Sequence, residues 1–86
     1  MPQISRFFGI IISMYFNDHN PPHFHAQYGE DECLVGILDL TVIEGKIPSR
    51  ALGMVIEWAA LHQDELMDNW AKATNMEPLK KILPLR

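Results

Sequence analysis

The chain holds a single cysteine, Cys33, in 86 residues. No intramolecular disulfide can form and no thiolate-rich metal cage can be assembled, a usage that fits a reducing cytoplasm. Long apolar runs are missing as well. The most apolar stretch, "FFGIIISMYF" over residues 7–16, is too short to cross a bilayer and lacks the flanks of a secretion signal, so the chain reads as soluble and cytoplasmic. Basic residues are few: seven Lys and Arg stand against eleven Asp and Glu, a formal net charge of −4. Arg6, Lys46, Arg50, Lys72, Lys80, Lys81 and Arg86 are scattered, with nothing resembling a phosphate-tracking stripe, which argues mildly against a nucleic-acid surface. The glycines are isolated, so no phosphate-cradling loop is present, and no serine is placed for a catalytic triad. Repeats, low-complexity tracts and linkers are absent too. Enzymatic candidates reduce to histidine.

What remains is a compact apolar pattern. A chain this short reads as one domain over residues 1–86, burying about 60–65% of the surface its unfolded form exposes, too little for a deep enclosed cavity. Residues 4–16 read as a strand with a bulge at Gly9, ended by the turn-forming "NDHNPP". "HFHAQYG" then alternates with the period of a half-buried strand, "GEDE" turns, and "CLVGILDL" is a third strand. "TVIEGKIP" continues it or makes a short fourth, with Glu44-Gly45 as a candidate turn. From Pro48 or Ser49 to about Asn75 the spacing predicts one long helix whose broad apolar arc includes Ala51, Val55, Trp58, Ala59, Leu66 and Trp70. His62 and Gln63 fall inside that arc while Leu61 falls outside it. Either two polar groups enter the interface or the helix bends there. The prolines of "MEPLKKILPLR" predict an extended C-terminal tail that docks on this domain or on another chain. The simplest architecture is α+β: a small antiparallel sheet of three to four strands packed against one long C-terminal helix.

Chemistry concentrates in "DHNPPHFH", residues 18–25, with three of the four histidines. His23 and His25 are two apart on a strand, so they face the same side, roughly 6–7 Å apart. Three uses of that geometry stay open. The two imidazoles can share a divalent transition metal, with His19 or Asp18 completing a three-ligand set that leaves a position for water. They can instead act without a metal as acid and base in phosphodiester transfer, with Asp18 or His19 orienting and Arg6 or Arg50 holding phosphate. The third use is plain: Asp18 and Asn20 satisfy turn amides, the prolines stiffen the turn, and His23 and His25 sit on a solvated face. His62 reads as a hydrogen-bonded core residue, Trp58 as core, and Trp70 as either core or an interface anchor.

The segment "MPQISRFFGIIISMYFNDHNPPHFHAQYGE" resembles a family of small bacterial proteins known as domain of unknown function 4160, and the likeness continues in "GKIPSRALGMVIEWAALHQDELMDNW" and "PLKKILPL". The family's motif carries over to Asp18, His19, Pro21, Pro22, His23 and His25, with His62 in its helix motif. Ser13 and Gly53 stand where the family pattern has larger or basic residues, which takes some weight from RNA cleavage. Members of the family look like one half of two-gene cassettes, beside a small protein of domain of unknown function 2442. The resemblance therefore implies the toxin of a type II toxin–antitoxin module, acting on RNA or another phosphodiester and neutralised by a small antitoxin-like partner. A non-enzymatic interaction or regulatory module is the alternative.

Overall fold

The computed structural model describes residues 2–86. The protein is α+β, with one five-stranded antiparallel sheet in meander order followed by two helices. The strands are β1 (Gln3–Phe7), β2 (Ile10–Ser13), β3 (His23–Tyr28), β4 (Asp31–Gly36) and β5 (Val42–Lys46); the helices are α1 (Ser49–Leu61) and α2 (Gln63–Thr74).

Two sequence expectations are corrected by backbone geometry. The segment expected to be one strand is a hairpin, because Phe8 and Gly9 take positive φ angles of 48° and 81° and join Phe7 directly to Ile10. Positive φ at both central residues is the type I′ arrangement, whose twist matches that of paired strands. Likewise Glu44-Gly45 is no turn: it lies inside β5, where the register slips between Leu34 and Val35 and leaves Ile43 unpaired as a bulge. Gly45 has φ +75° and sits opposite Cys33, so a Cβ there would collide with the Glu32 carbonyl oxygen. Together these raise the strand number to five.

Strand alternation builds the core. Ile12, Ala26 and Cys33 are cross-strand neighbours, as are Phe24 and Val35, and all five are fully buried on one face. Burial pushes the Cys33 thiol pKa up, with the Glu32 charge adding to the effect. Trp58 of α1 lies on this face, its ring 5.4 Å from Phe7 and 5.9 Å from Phe24. Its indole N–H donates to the Leu83 carbonyl at 2.8 Å.

The predicted single helix breaks at His62, whose φ of −129° is not helical and whose N–H reaches the Ala59 carbonyl. Both readings of that stretch hold in part. The helix bends, and Gln63 turns inward to donate to the Ile37 carbonyl at 2.9 Å, which removes the cost of its burial. Asn69 is a polar residue that the helix wheel did not single out, yet it is 1% exposed. Its amide donates to the Lys80 carbonyl at 2.9 Å and accepts from the Lys80 N–H at 3.0 Å. Residues 77–86 form neither helix nor strand; they run beside β1, where the Ile82 N–H donates to the Ile4 carbonyl at 2.8 Å. No helix among the described residues is long and apolar enough to cross a membrane.

Gly45→Ala combines a backbone clash with a left-handed φ and is expected to destabilise the protein by about 2 kcal/mol or more. Gly53→Ala, at an exposed helical position with open space around it, should stabilise it by about 0.5–1 kcal/mol. Urea unfolding of the two variants should therefore move the midpoint in opposite directions.

Candidate functional site

The site is built where the loop after β2 meets the first turn of residues in β3. His25 pairs across the sheet with Ser13 on one side and Leu34 on the other, and His23 pairs with Gly36, so both imidazoles project from the face opposite Trp58. The loop that precedes them is held at several points: the Asn17 N–H donates to the Ala73 carbonyl at 3.1 Å, and Ile37 N–H to the Pro22 carbonyl at 3.0 Å. Asp18 is thereby suspended over the strand it precedes.

Three ring nitrogens and a backbone amide converge on the Asp18 carboxylate. Its Oδ2 is 3.0 Å from His23 Nε2 and 3.3 Å from His25 Nε2. Oδ1 accepts the His19 N–H at 2.8 Å and lies 3.0 Å from His19 Nδ1. The other nitrogens of the two strand histidines are also engaged: His23 Nδ1 with the Pro21 carbonyl at 2.7 Å, His25 Nδ1 with Glu32 Oε2 at 3.2 Å. Burial alone would raise the Asp18 pKa. The His19 amide hydrogen bond, the His25 hydrogen bond and the neighbouring His23 and His19 charges outweigh it and hold the carboxyl below its ordinary value.

The surround is aromatic and acidic. Trp70 of α2 lies 5.2 Å from the His23 ring, and Tyr15 meets His25 edge-on at 4.4 Å. Burial, then the charges of Glu32 and Asp18, raise the Tyr15 pKa and keep its phenol protonated. His23 is only 1% exposed, the His25 side chain 15% and the His19 side chain 79%, so the cluster grades from buried to open along one direction.

Tautomers follow from the partners. A carbonyl only accepts, so His23 Nδ1 carries a proton and donates it to Pro21. Its Nε2 then has two states. Unprotonated, it sets a lone pair against a carboxylate lone pair at 3.0 Å; protonated, it makes a buried imidazolium. His25 repeats the problem on the same oxygen, with the two rings 5.3 Å apart, so protonating both puts like charges side by side.

The family model of a domain of unknown function, DUF4160, matches residues 9–71. The chain belongs to the DUF4160 family. No curated protein and no solved structure matches it. The region matched in this DUF4160 protein contains the whole cluster with Glu32 and Trp70, whereas Arg6 and the tail that packs beside β1 lie outside it.

Of the residues singled out in the sequence, Asp18, His19, His23 and His25 meet, but His23 is buried beneath Trp70 rather than on a solvated face. His62 is elsewhere, its ring tilted against Trp58 with centroids 5.5 Å apart and its Nδ1 paired with Glu65 at 2.6 Å. Arg6 and Arg50 form no hydrogen bond or ion pair with the cluster among the described residues. Glu32 and Tyr15 were not foreseen. Glu32 needed the register: a two-residue loop at Gly29-Glu30 puts it opposite Gln27, one step along the face from His25.

An Asp18 carboxyl held low contributes stability that is present above its unfolded pKa, about 3.9, and is lost as pH falls through the lower folded value. Asp18→Asn removes that contribution and one charged acceptor, so the metal-free variant should be less stable by about 1–3 kcal/mol at neutral pH. The deficit should shrink in acid. Urea unfolding of both proteins at neutral and acid pH checks this, and a deficit independent of pH contradicts it.

Proposed function

We propose that this DUF4160 domain binds one divalent transition-metal ion between Asp18 Oδ2, His23 Nε2 and His25 Nε2, and that the bound ion serves hydrolysis. The observation that carries the reading is the convergence of two imidazole Nε2 atoms on one carboxylate oxygen while each opposite Nδ1 faces an acceptor. A cation accepts all three lone pairs at once, and neither ring then needs a second proton. Ligand atoms about 2.1 Å from a shared ion are spaced about 3.0–3.4 Å apart for angles between octahedral and tetrahedral. The two oxygen–nitrogen separations, 3.0 and 3.3 Å, fall in that interval, and the three atoms lie within 4.8 Å of one another.

The surroundings fit the same reading. Metal-binding histidines donate their other N–H to a carbonyl or carboxylate, which fixes the tautomer and raises ligand basicity. Here Pro21 supplies the carbonyl and Glu32 the carboxylate. Two nitrogens and one oxygen suit zinc, nickel or iron(II) rather than calcium or magnesium. When bound, such an ion polarises a substrate oxygen and lowers the pKa of a coordinated water. The chain's own residues bind the ion, fix its ligands and, through Trp70, keep water from His23.

The arrangement supports metal ligation better than metal-free acid–base transfer. Every ring nitrogen of His23 and His25 already has a partner, and His23 cannot reach a substrate through Trp70. In the two-gene setting implied by the family resemblance, the ion gives a toxin its hydrolytic step on RNA or another phosphodiester. The antitoxin-like partner inhibits it by covering the side on which His19 and His25 open. Phosphate would be held by the ion, since neither Arg6 nor Arg50 joins the cluster.

Untagged protein, stripped with chelator and reloaded with zinc or nickel, is expected to retain one ion per chain. Asp18→Asn and His25→Ala should lose it while keeping the far-UV spectrum of the parent. Parent protein that holds no ion after dialysis against micromolar metal overturns the proposal.

A further inference from the structure

We infer that His19 is the fourth ligand of that ion, closing the centre into a three-histidine, one-carboxylate set that opens when an incoming ligand displaces its imidazole. The inference rests on the reading of Asp18, His23 and His25 as an ion site and adds what governs access to it. Three protein ligands leave a tetrahedral ion one short, and a closed fourth position separates a guarded centre from an open one.

Among the imidazoles at the site, His19 is the most exposed, and its Nε2 makes no hydrogen bond among the described residues. Trp70 offers no ligand atom, since its indole N–H only donates. The Glu32 carboxylate is engaged with His25 Nδ1 at 3.2 Å. The Tyr15 ring meets that of His25 at 81°, with centroids 4.4 Å apart. His19 follows Asp18 directly in the chain, its Nδ1 rests 3.0 Å from the carboxylate oxygen that faces away from the strand histidines, and its ring is 5.5 Å from that of His23. To reach the ion position its imidazole must turn from Oδ1 toward the Oδ2 side of the carboxylate.

Its exposure leaves the side chain room to turn. The backbone is fastened, because the His19 N–H donates to Asp18 Oδ1 at 2.8 Å, whereas the side chain is 79% exposed and its ring lies 5.5 Å from that of His23. Rotating an exposed imidazole from Oδ1 toward the ion exchanges one interaction for another and leaves the amide bond to Asp18 in place. The buried pair, His23 and Asp18, fixes where the ion sits; the exposed member fixes whether anything else reaches it. A substrate or a partner's carboxylate would enter by taking the His19 position.

Cobalt(II) titration of the full chain, followed by visible absorption, tests this with three proteins. The parent should show the intense band of a four-coordinate ion. His19→Ala and His19→Gln should bind cobalt at least roughly tenfold more weakly, the scale on which even outer-shell losses act, with a weakened band. Millimolar imidazole should restore both affinity and band in His19→Ala. Unchanged affinity and spectrum in the variants overturn the inference and leave the three-ligand site standing. Weakened binding that imidazole fails to rescue also overturns it, since a merely structural role would give that result. A parent protein with no cobalt spectrum overturns the metal reading itself.

Discussion

Two imidazole nitrogens share one oxygen, Asp18 Oδ2, and the architecture around them serves to hold that contact. A carboxylate in a loop would ordinarily sample many orientations. Here the loop is fastened to α2 through Asn17 and Ala73, to the segment after β4 through Pro22 and Ile37, and to itself through the His19 amide. Trp70 lies on His23, so the helix pair covers one face of the sheet with Trp58 and shields the start of β3 on the other. The bend at His62 divides these tasks between α1 and α2. A straight helix would carry both tryptophans on one rigid rod.

The cost of this design is borne by His23. A buried imidazole with its Nδ1 proton committed to a carbonyl and its Nε2 facing a carboxylate is satisfied only by a second proton or by a cation. Breaking a buried pair leaves an uncompensated polar group, which makes the cluster sensitive to the loss of any one member. A metal ion removes the conflict for His23 and His25 together. The same ion would supply the hydrolytic chemistry that the proposed toxin reading requires, in a chain whose net charge is −4.

Much of this was legible in the residues, and the rest failed for identifiable reasons. The period-two alternation of "HFHAQYG" put His23 and His25 on one face, and the proline turn brought Asp18 and His19 close to it. Strand number was undercounted because both misread segments depend on positive φ: Phe8 at a hairpin corner is a residue for which sequence offers little warning. Gly45 looked like a turn but permits a bulge. The helix break was visible as a conflict in the wheel at 61–63, though its resolution, Gln63 bonding the Ile37 carbonyl, needed the sheet. Trp70 comes from a distant position along the chain and Glu32 from the next strand, so only packing and register bring them to the cluster. Burial of His23 follows from Trp70 and was hidden for the same reason.

The central claim concerns where the protons and the ion sit on two rings, and nitrogen NMR of the imidazoles reads that directly. On titration with zinc, the account predicts that His23 and His25 each keep a proton on Nδ1 while both Nε2 resonances move together to the metal-bound range at one equivalent. Two rings that remain doubly protonated and insensitive to zinc would contradict it.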